Sequence, residues 1–296
     1  VKLVICGPPG IGKSTLGAKA DKPVFLDLED GCEHLKDGNE RAVAILQYPK
    51  TLAGVNTAIT DLTNDKHDYK TLVIDSADWL EKIIHAQIVG DSGKSIITIN
   101  KGYGAGLAES TKLHMELVRR LSELSRARNM HIIVTAHVDV KPVKDPSVMD
   151  DYDSFEMKCG KEISPMWREW SEAFLFARHP VVTKNSDETV KARAMLENQR
   201  VVYTEETPFF KAKNRYNLPK IMPFTQDFWK EMSKYTSKGP QAPTLEKIRM
   251  EINDRHAKIT DETLRGTVHD AILGAGTDIG QLTLIVERLR EIQGAA

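Results

Sequence analysis

The sequence predicts an α/β fold: a mostly parallel sheet flanked by helices, with an antiparallel extension and a small C-terminal helical region. Three observations carry this expectation. Short continuous apolar runs at 2–6, 24–28, 71–76 and 131–137 read as strands buried on both faces. Segments of helical periodicity lie between or beside them, at 14–20, 52–63, 77–89 and 107–128. A glycine-rich turn, GPPGIGKS at 7–14, joins the first run to the first helix.

The elements follow in order. KLVIC at 2–6 ends at a glycine turn, as a buried strand does. PVFLDLED supplies the second strand, and 43–46 a third. Helix 77–89 has apolar positions at Trp79, Leu80, Ile83, Ile84 and Ile88. Residues 90–106 are rich in Gly, Ser and Asn and read as a loop. Leu113, Leu117, Leu121 and Leu124 mark one side of a long amphipathic helix at 107–128. Residues 138–165 are polar and irregular, and a loop of that length inside a domain is usually functional or disordered. Runs at 173–177, 190–196 and 201–204 predict the antiparallel extension, with turns at NSDE and ENQ. SKGPQAP at 237–243 reads as a linker. The expected organisation is a core at 1–236 and two or three helices at 244–296, with a cap at Thr244.

A chain of 296 residues holds one large domain, or one core with a small appendage. Apolar residues at 41% and charged residues at 28% are ordinary for a soluble globular protein. The net charge of -1 gives no global attraction to nucleic acid or membrane. Any polyanion binding must come from a local patch or from assembled subunits. Cys6, Cys32 and Cys159 match no zinc spacing, and their odd number argues against a disulfide framework. A reducing cytoplasm is therefore expected. No run approaches the ~18 apolar residues of a membrane span, and no signal peptide precedes the first motif. The chain opens at Val1 rather than methionine, so a few preceding residues are expected.

Gly7-Pro8-Pro9-Gly10-Ile11-Gly12-Lys13-Ser14 satisfies G-x-x-x-x-G-K-[ST], with Thr15 just beyond. The glycines let the backbone wrap a polyphosphate so that several N–H groups point at one anion. Lys13 supplies a cation for the β- and γ-phosphates, and Ser14 a hydroxyl for Mg²⁺. ATP and Mg²⁺ are the expected ligands. Asp75 ends the run Leu72-Val73-Ile74, where a carboxylate can hold Mg²⁺ through water. A carboxylate at that place also serves as a helix N-cap. Asp27 and Glu29 end the second strand at the sheet edge where ligands gather. Glu29 there can orient an attacking water, or belong to a solvated acidic turn with Asp30.

Together GPPGIGKS, LDLEDG, TLVIDS and IIVTAH resemble the RecA-like ATPases over about residues 2–220. More closely, they resemble phage-encoded ATPases with a stripped-down RecA core that act as single-strand annealing recombinases. The resemblance implies that Glu29 is the catalytic glutamate, Asp75 the Walker B aspartate and His137 the γ-phosphate sensor. Histidine departs from RecA proper, which carries glutamine there, and a residue ending a strand can also be a structural cap. Lys213-Asn-Arg215 resembles the K-x-R segment that reaches a neighbouring subunit's ATP; a solvated surface strand is the other reading. An arginine in trans requires an oligomer, ring or filament.

The resemblance also implies single-stranded DNA as a partner, with a single-strand binding protein as a further one and bacterial host cytoplasm as the location. Lys94, Lys101 and Tyr103 supply the lysine-plus-aromatic combination used on single strands. Residues 138–165 mix lysines with aspartates and are a weaker candidate. A different class remains open: a nucleotide-driven switch or assembly ATPase without direct DNA contact, which the near-neutral charge favours.

Overall fold

The computed structural model describes residues 1–100, 102–144, 151–180, 200–237, 239, 245–259 and 261–294. The chain forms two compact units, Val1–Val143 with Tyr152–Pro240, and Lys144–Asp151 with Gln241–Ala296.

In the first unit the central strands are β1 (Lys2–Cys6), β2 (Pro23–Asp27), β3 (Ala44–Ile45), β4 (Thr71–Asp75) and β5 (His131–Ala136). Between them run α1 (Lys13–Ala18), α2 (Leu52–Asn64), α3 (Ala77–Val89), a 3₁₀ turn (Gly90–Ser92) and α4 (Ala105–Arg128). There follow β6 (Val138–Val143), β7 (Tyr152–Met157), α5 (Ile163–Trp170), β8 (Ala173–Arg178), β9 (Val201–Tyr203), β10 (Lys213–Asn214), β11 (Ile221–Pro223) and α6 (Phe228–Thr236). The main sheet has the order β11-β9-β8-β1-β5-β4-β2-β3, with β10 also on β8. Pairings among β1, β2, β3, β4, β5 and β8 are parallel, while β9, β10 and β11 add antiparallel pairs. Thus β5 separates the strand that feeds the glycine-rich turn from the strand that carries Asp75.

The central strands are mostly apolar because both faces are covered. Successive side chains alternate between two cores. Val4, Leu26, Ile74, Val134 and Phe176 pack with residues of α2, α3, α4 and α5, including Ile59, Leu80, Leu121 and Trp167. Leu3, Ile5, Phe25, Val73, Ile133 and Leu175 pack with Leu16 of α1 and with Phe228 and Met232 of α6. Local signals set the helix ends. Thr51 caps α2 by accepting the Gly54 N–H at 3.1 Å. Asn129 closes α4 in the left-handed region at φ 51°, behind Arg126 and Arg128 in the last turn.

The structure departs from the sequence expectation in three places. Residues 138–143 and 152–157 are not irregular: β6 and β7 pair antiparallel, with Val140 opposite Phe155 and Val138 opposite Met157. Charged residues on its outer positions and Pro142 within the run hide the strand pattern. The sequence pattern does not predict helices α5 and α6. Each buries only one i,i+4 pair, Ile163 with Trp167 and Phe228 with Met232, too few turns to show a period. The expected strand at 190–196, its turns and the Thr244 cap lie outside the described residues, as does most of the expected linker.

The second unit carries α7 (Leu245–Ala257), α8 (Glu262–Ala275) and α9 (Ile279–Gly294). Ile248, Ile252, Leu282 and Val286 form its core. Asp261 caps α8 by accepting the Leu264 N–H at 2.8 Å.

Candidate nucleotide site

Parallel strands present their carboxyl ends at one edge, so the segments after β1, β2, β4 and β5 converge there. The register confirms the alignment: Cys6 lies opposite Ala136, and Asp27 opposite Asp75.

After β1 the chain turns sharply, with the Gly7 N–H held by the Ala136 carbonyl at 3.2 Å. A Cβ on Gly7 would lie 2.5 Å from the Ala177 carbonyl oxygen, so only glycine fits. Gly12 sits at φ 102°, in the left-handed region, just before α1. Lys13 is buried and donates from Nζ to the carbonyls of Gly7 at 2.9 Å and Pro8 at 3.0 Å. Burial lowers the Lys13 pKa, against the opposing pull of Asp75. Pro8, Ile11 and Ser14 are partly or fully buried around it, whereas Pro9, Gly10 and Thr15 are exposed.

Asp75 is held from two sides. Thr135 of β5 donates to Oδ1, and the Cys32 thiol donates to Oδ2 at 3.2 Å. Cys32 is itself placed by Asp27, which accepts the N–H groups of Glu29, Gly31 and Cys32 at 3.2, 3.2 and 2.9 Å. Asp27 therefore shapes the turn that presents Glu29. A carboxylate accepts up to about four hydrogen bonds, so the two donors leave Asp75 capacity for a hydrated cation. With the Ser14 hydroxyl, this is an all-oxygen set suited to Mg²⁺, which keeps several of its waters.

Beside Asp75 lies a second group that the sequence reading did not assemble. Ser76 donates toward Glu29 Oε1 and toward Asp78 Oδ1 at 2.8 Å. Asp78, in the first turn of α3, accepts the His137 backbone N–H at 3.2 Å and sits 3.1 Å from His137 Nδ1. His137 Nδ1 is also 3.7 Å from Glu29 Oε1. Burial opposes the charge on Asp78, but hydrogen bonds from His137 and Ser76 outweigh it and hold the carboxyl at about 2. Glu29 moves the other way: burial raises its pKa, more than the Ser76 hydrogen bond and His137 lower it. Ligand atoms of Glu29, Asp78 and His137 lie within 4.8 Å of one another. Their mutual hydrogen bonds account for that grouping, and Mg²⁺ prefers oxygen and water to imidazole. The cluster is a hydrogen-bonded network of two carboxylates, a hydroxyl and an imidazole.

The other candidate residues lie elsewhere. Lys213 and Asn214 pair with Phe174 and Ala173, at the start of β8, whereas the glycine-rich turn adjoins its end at Ala177. Lys213 donates to the carbonyls of Arg168 at 2.9 Å and Glu169 at 2.6 Å, at the end of α5. Burial, with Arg215 nearby, lowers its pKa to about 8. Arg215 is exposed. The structure does not bring either one to this chain's own glycine-rich turn. Lys94 is exposed, and Tyr103 is fully exposed at φ 53°. Lys101 lies outside the described residues.

A glycine-rich loop between a buried parallel strand and a helix, with an acceptor carboxylate at a neighbouring strand end, defines a P-loop nucleotide-binding protein. The family comparison agrees: a model described as AAA domain matches residues 1–216. The chain belongs to the AAA domain family. Among solved structures, the crystal structure of the RadB recombinase is similar over 77% of this chain and 89% of that one, at 14% identity and a TM-score of 0.38. A likeness at that level leaves the functional argument with the site. No curated protein sequence matches the chain.

Proposed function

We propose that this protein binds and hydrolyses ATP with Mg²⁺, and that it uses the cycle as an oligomer on single-stranded DNA, promoting annealing in homologous recombination. The observation that carries the ATPase reading is the meeting of Lys13, Asp75, Glu29 and His137 at one sheet edge. On this reading the amides of 7–15 and Lys13 hold the phosphates, and Ser14 and Asp75 hold the cation. Bound Mg²⁺ supplies charge neutralisation on the phosphates. Glu29, poised by burial, orients water and accepts its proton. His137, fixed by Asp78, reaches toward the γ-phosphate. Arg215, with Lys213 beside it, completes a neighbour's site.

The DNA part rests on the resemblance of the motifs and on the exposed Lys94 and Tyr103. Measuring the ATPase rate with and without single-stranded DNA, over a range of protein concentrations, tests both parts. Stimulation by DNA that is lost when Lys94→Ala and Tyr103→Ala are combined supports the reading. A protein with no nucleotide affinity in Mg²⁺ would sink all of it. A rate indifferent to DNA favours the second reading, a nucleotide-driven switch or assembly ATPase. The net charge of -1 and the acids Asp139, Asp153 and Glu156 beside the single Lys141 on β6 and β7 speak for that alternative.

A further inference from the structure

Arg200 lies far along the chain from the P-loop, yet it touches it. Its Nη1 donates to the Ile11 carbonyl at 3.0 Å. The guanidinium rests over the Phe224 ring, 5.1 Å from its centroid. The Phe224 N–H in turn binds the Arg200 carbonyl at 3.0 Å, extending the β9–β11 ladder. Both side chains press on Gly12: a Cβ there would lie 2.5 Å from Arg200 Nη1 and 3.2 Å from Phe224. One helix further on, Trp229 of α6 donates to the Leu16 carbonyl of α1 at 2.7 Å. The segment from Arg200 to α6 thus grips the loop and its helix at three points.

The peptide between Ile11 and Gly12 is planar and trans, so its C=O and N–H point in opposite directions. An arginine fixed on the carbonyl therefore aims the Gly12 N–H away from itself. In a loop whose amides cradle phosphate, that is the direction from which an anion binds. A permanently charged donor on the carbonyl also polarises the N–H on the other side.

We propose that Arg200, stacked on Phe224, is a positioning residue for the phosphate-binding loop: it orients the Ile11–Gly12 peptide toward the diphosphate of a bound nucleotide. This rests on the nucleotide reading above and adds a base-indifferent grip to it. The side chain acts from outside the loop, through the peptide.

The test is calorimetric titration of the full chain with ATP, ADP and inorganic pyrophosphate, each in Mg²⁺, for the wild type, Arg200→Ala and Arg200→Lys. Arg200→Ala weakens all three by a similar factor of about ten, the scale of one charge-assisted hydrogen bond. Arg200→Lys recovers part of the loss. KM for ATP rises more than kcat falls, and the ligand-free unfolding midpoint stays near wild type. Binding of all three within twofold of wild type overturns the proposal. So does a loss confined to ATP, which would put Arg200 on the γ-phosphate itself. A drop in ligand-free stability that accounts for the whole loss reduces Arg200 to a brace of the fold, and also overturns it. If Arg200→Ala fails to fold, Arg200→Gln keeps a donor without the charge. A several-fold loss for all three ligands then supports the proposal, and wild-type affinity refutes it. A wild type that binds none of the three refutes the nucleotide reading instead.

Discussion

Glu29 and Asp78 share the Ser76 hydroxyl, yet their environments drive them apart. Burial raises the Glu29 pKa, so at neutral pH its charge is held at a cost to stability. Its favourable contribution exists only below the ordinary 4.5 and is lost as pH rises through the raised value. Glu29→Gln should therefore unfold at or above the wild-type temperature, while kcat for ATP falls by about 10²–10⁴ through loss of the base. Calorimetric melts and a phosphate-release assay check both. A less stable variant would contradict the placement of Glu29. Asp78 has the opposite sign. Its carboxyl is held near 2 against an ordinary 3.8, so its contribution is complete above about pH 4 and vanishes as pH falls through 2. Asp78→Asn should lower stability at neutral pH and flatten the acid limb of the stability profile. An unchanged acid limb in urea melts from pH 5 to 2 would exclude that role. The phosphate loop was legible because its chemistry is local: glycines, lysine and serine within eight positions. Asp78 was not, since its partner His137 is 59 residues away. Nothing in a first helical turn says which strand end it will face. Arg200 is further still, 189 residues from the carbonyl it binds.

At the scale of elements, α3 and α4 meet across a buried polar seam. His85 Nε2 lies 3.1 Å from Ser110 Oγ, and His114 Nδ1 pairs with the Ser110 carbonyl at 2.8 Å. His114 is fully buried, and its Nε2 has no hydrogen-bond partner among the described residues. Burial lowers its pKa to about 4, with His85 adding to the effect and the Ser110 carbonyl opposing it. The unfolded chain therefore takes up a proton below about 6.5 that the folded one refuses until about 4. Stability should rise as pH goes up between those values, by about 3 kcal/mol in all. His114→Met, which keeps the volume without a titrating ring, should remove most of that slope. Denaturant melts at pH 4.5 and 7 decide, and an undiminished slope would assign it to other groups. From the sequence this seam looked like an ordinary leucine stripe, because Leu117, Leu121 and Leu124 dominate the period. The pairing of β6 with β7 was hidden for a related reason: a pattern of two carries little signal when most of its outer positions are charged.

For the whole molecule, the sheet was legible and the assembly was not. Apolar runs of strand length, separated by helical periods, dictate a parallel sheet almost by themselves. Lys213 and Arg215 instead fall near the start of β8, and their proposed role depends on a neighbouring chain. If Arg215 completes a neighbour's site, Lys13→Ala and Arg215→Ala should each be inactive alone. A mixture of the two should regain a fraction of wild-type ATPase, since some interfaces then combine an intact loop with an intact arginine. Turnover per subunit should also climb with protein concentration. A mixture no more active than its components would show that Arg215 works, if at all, within its own chain. The centre of the sheet carries one more consequence, for synthesis. Strand β1 is made before both of its neighbours: Lys2 pairs with Ile132 and Leu3 with Ala173. At roughly 5–20 residues per second, translation leaves β1 without its permanent neighbours for on the order of ten seconds. Its apolar side chains, buried in the finished sheet, stay uncovered over that interval, which is the condition under which a nascent chain calls on chaperones.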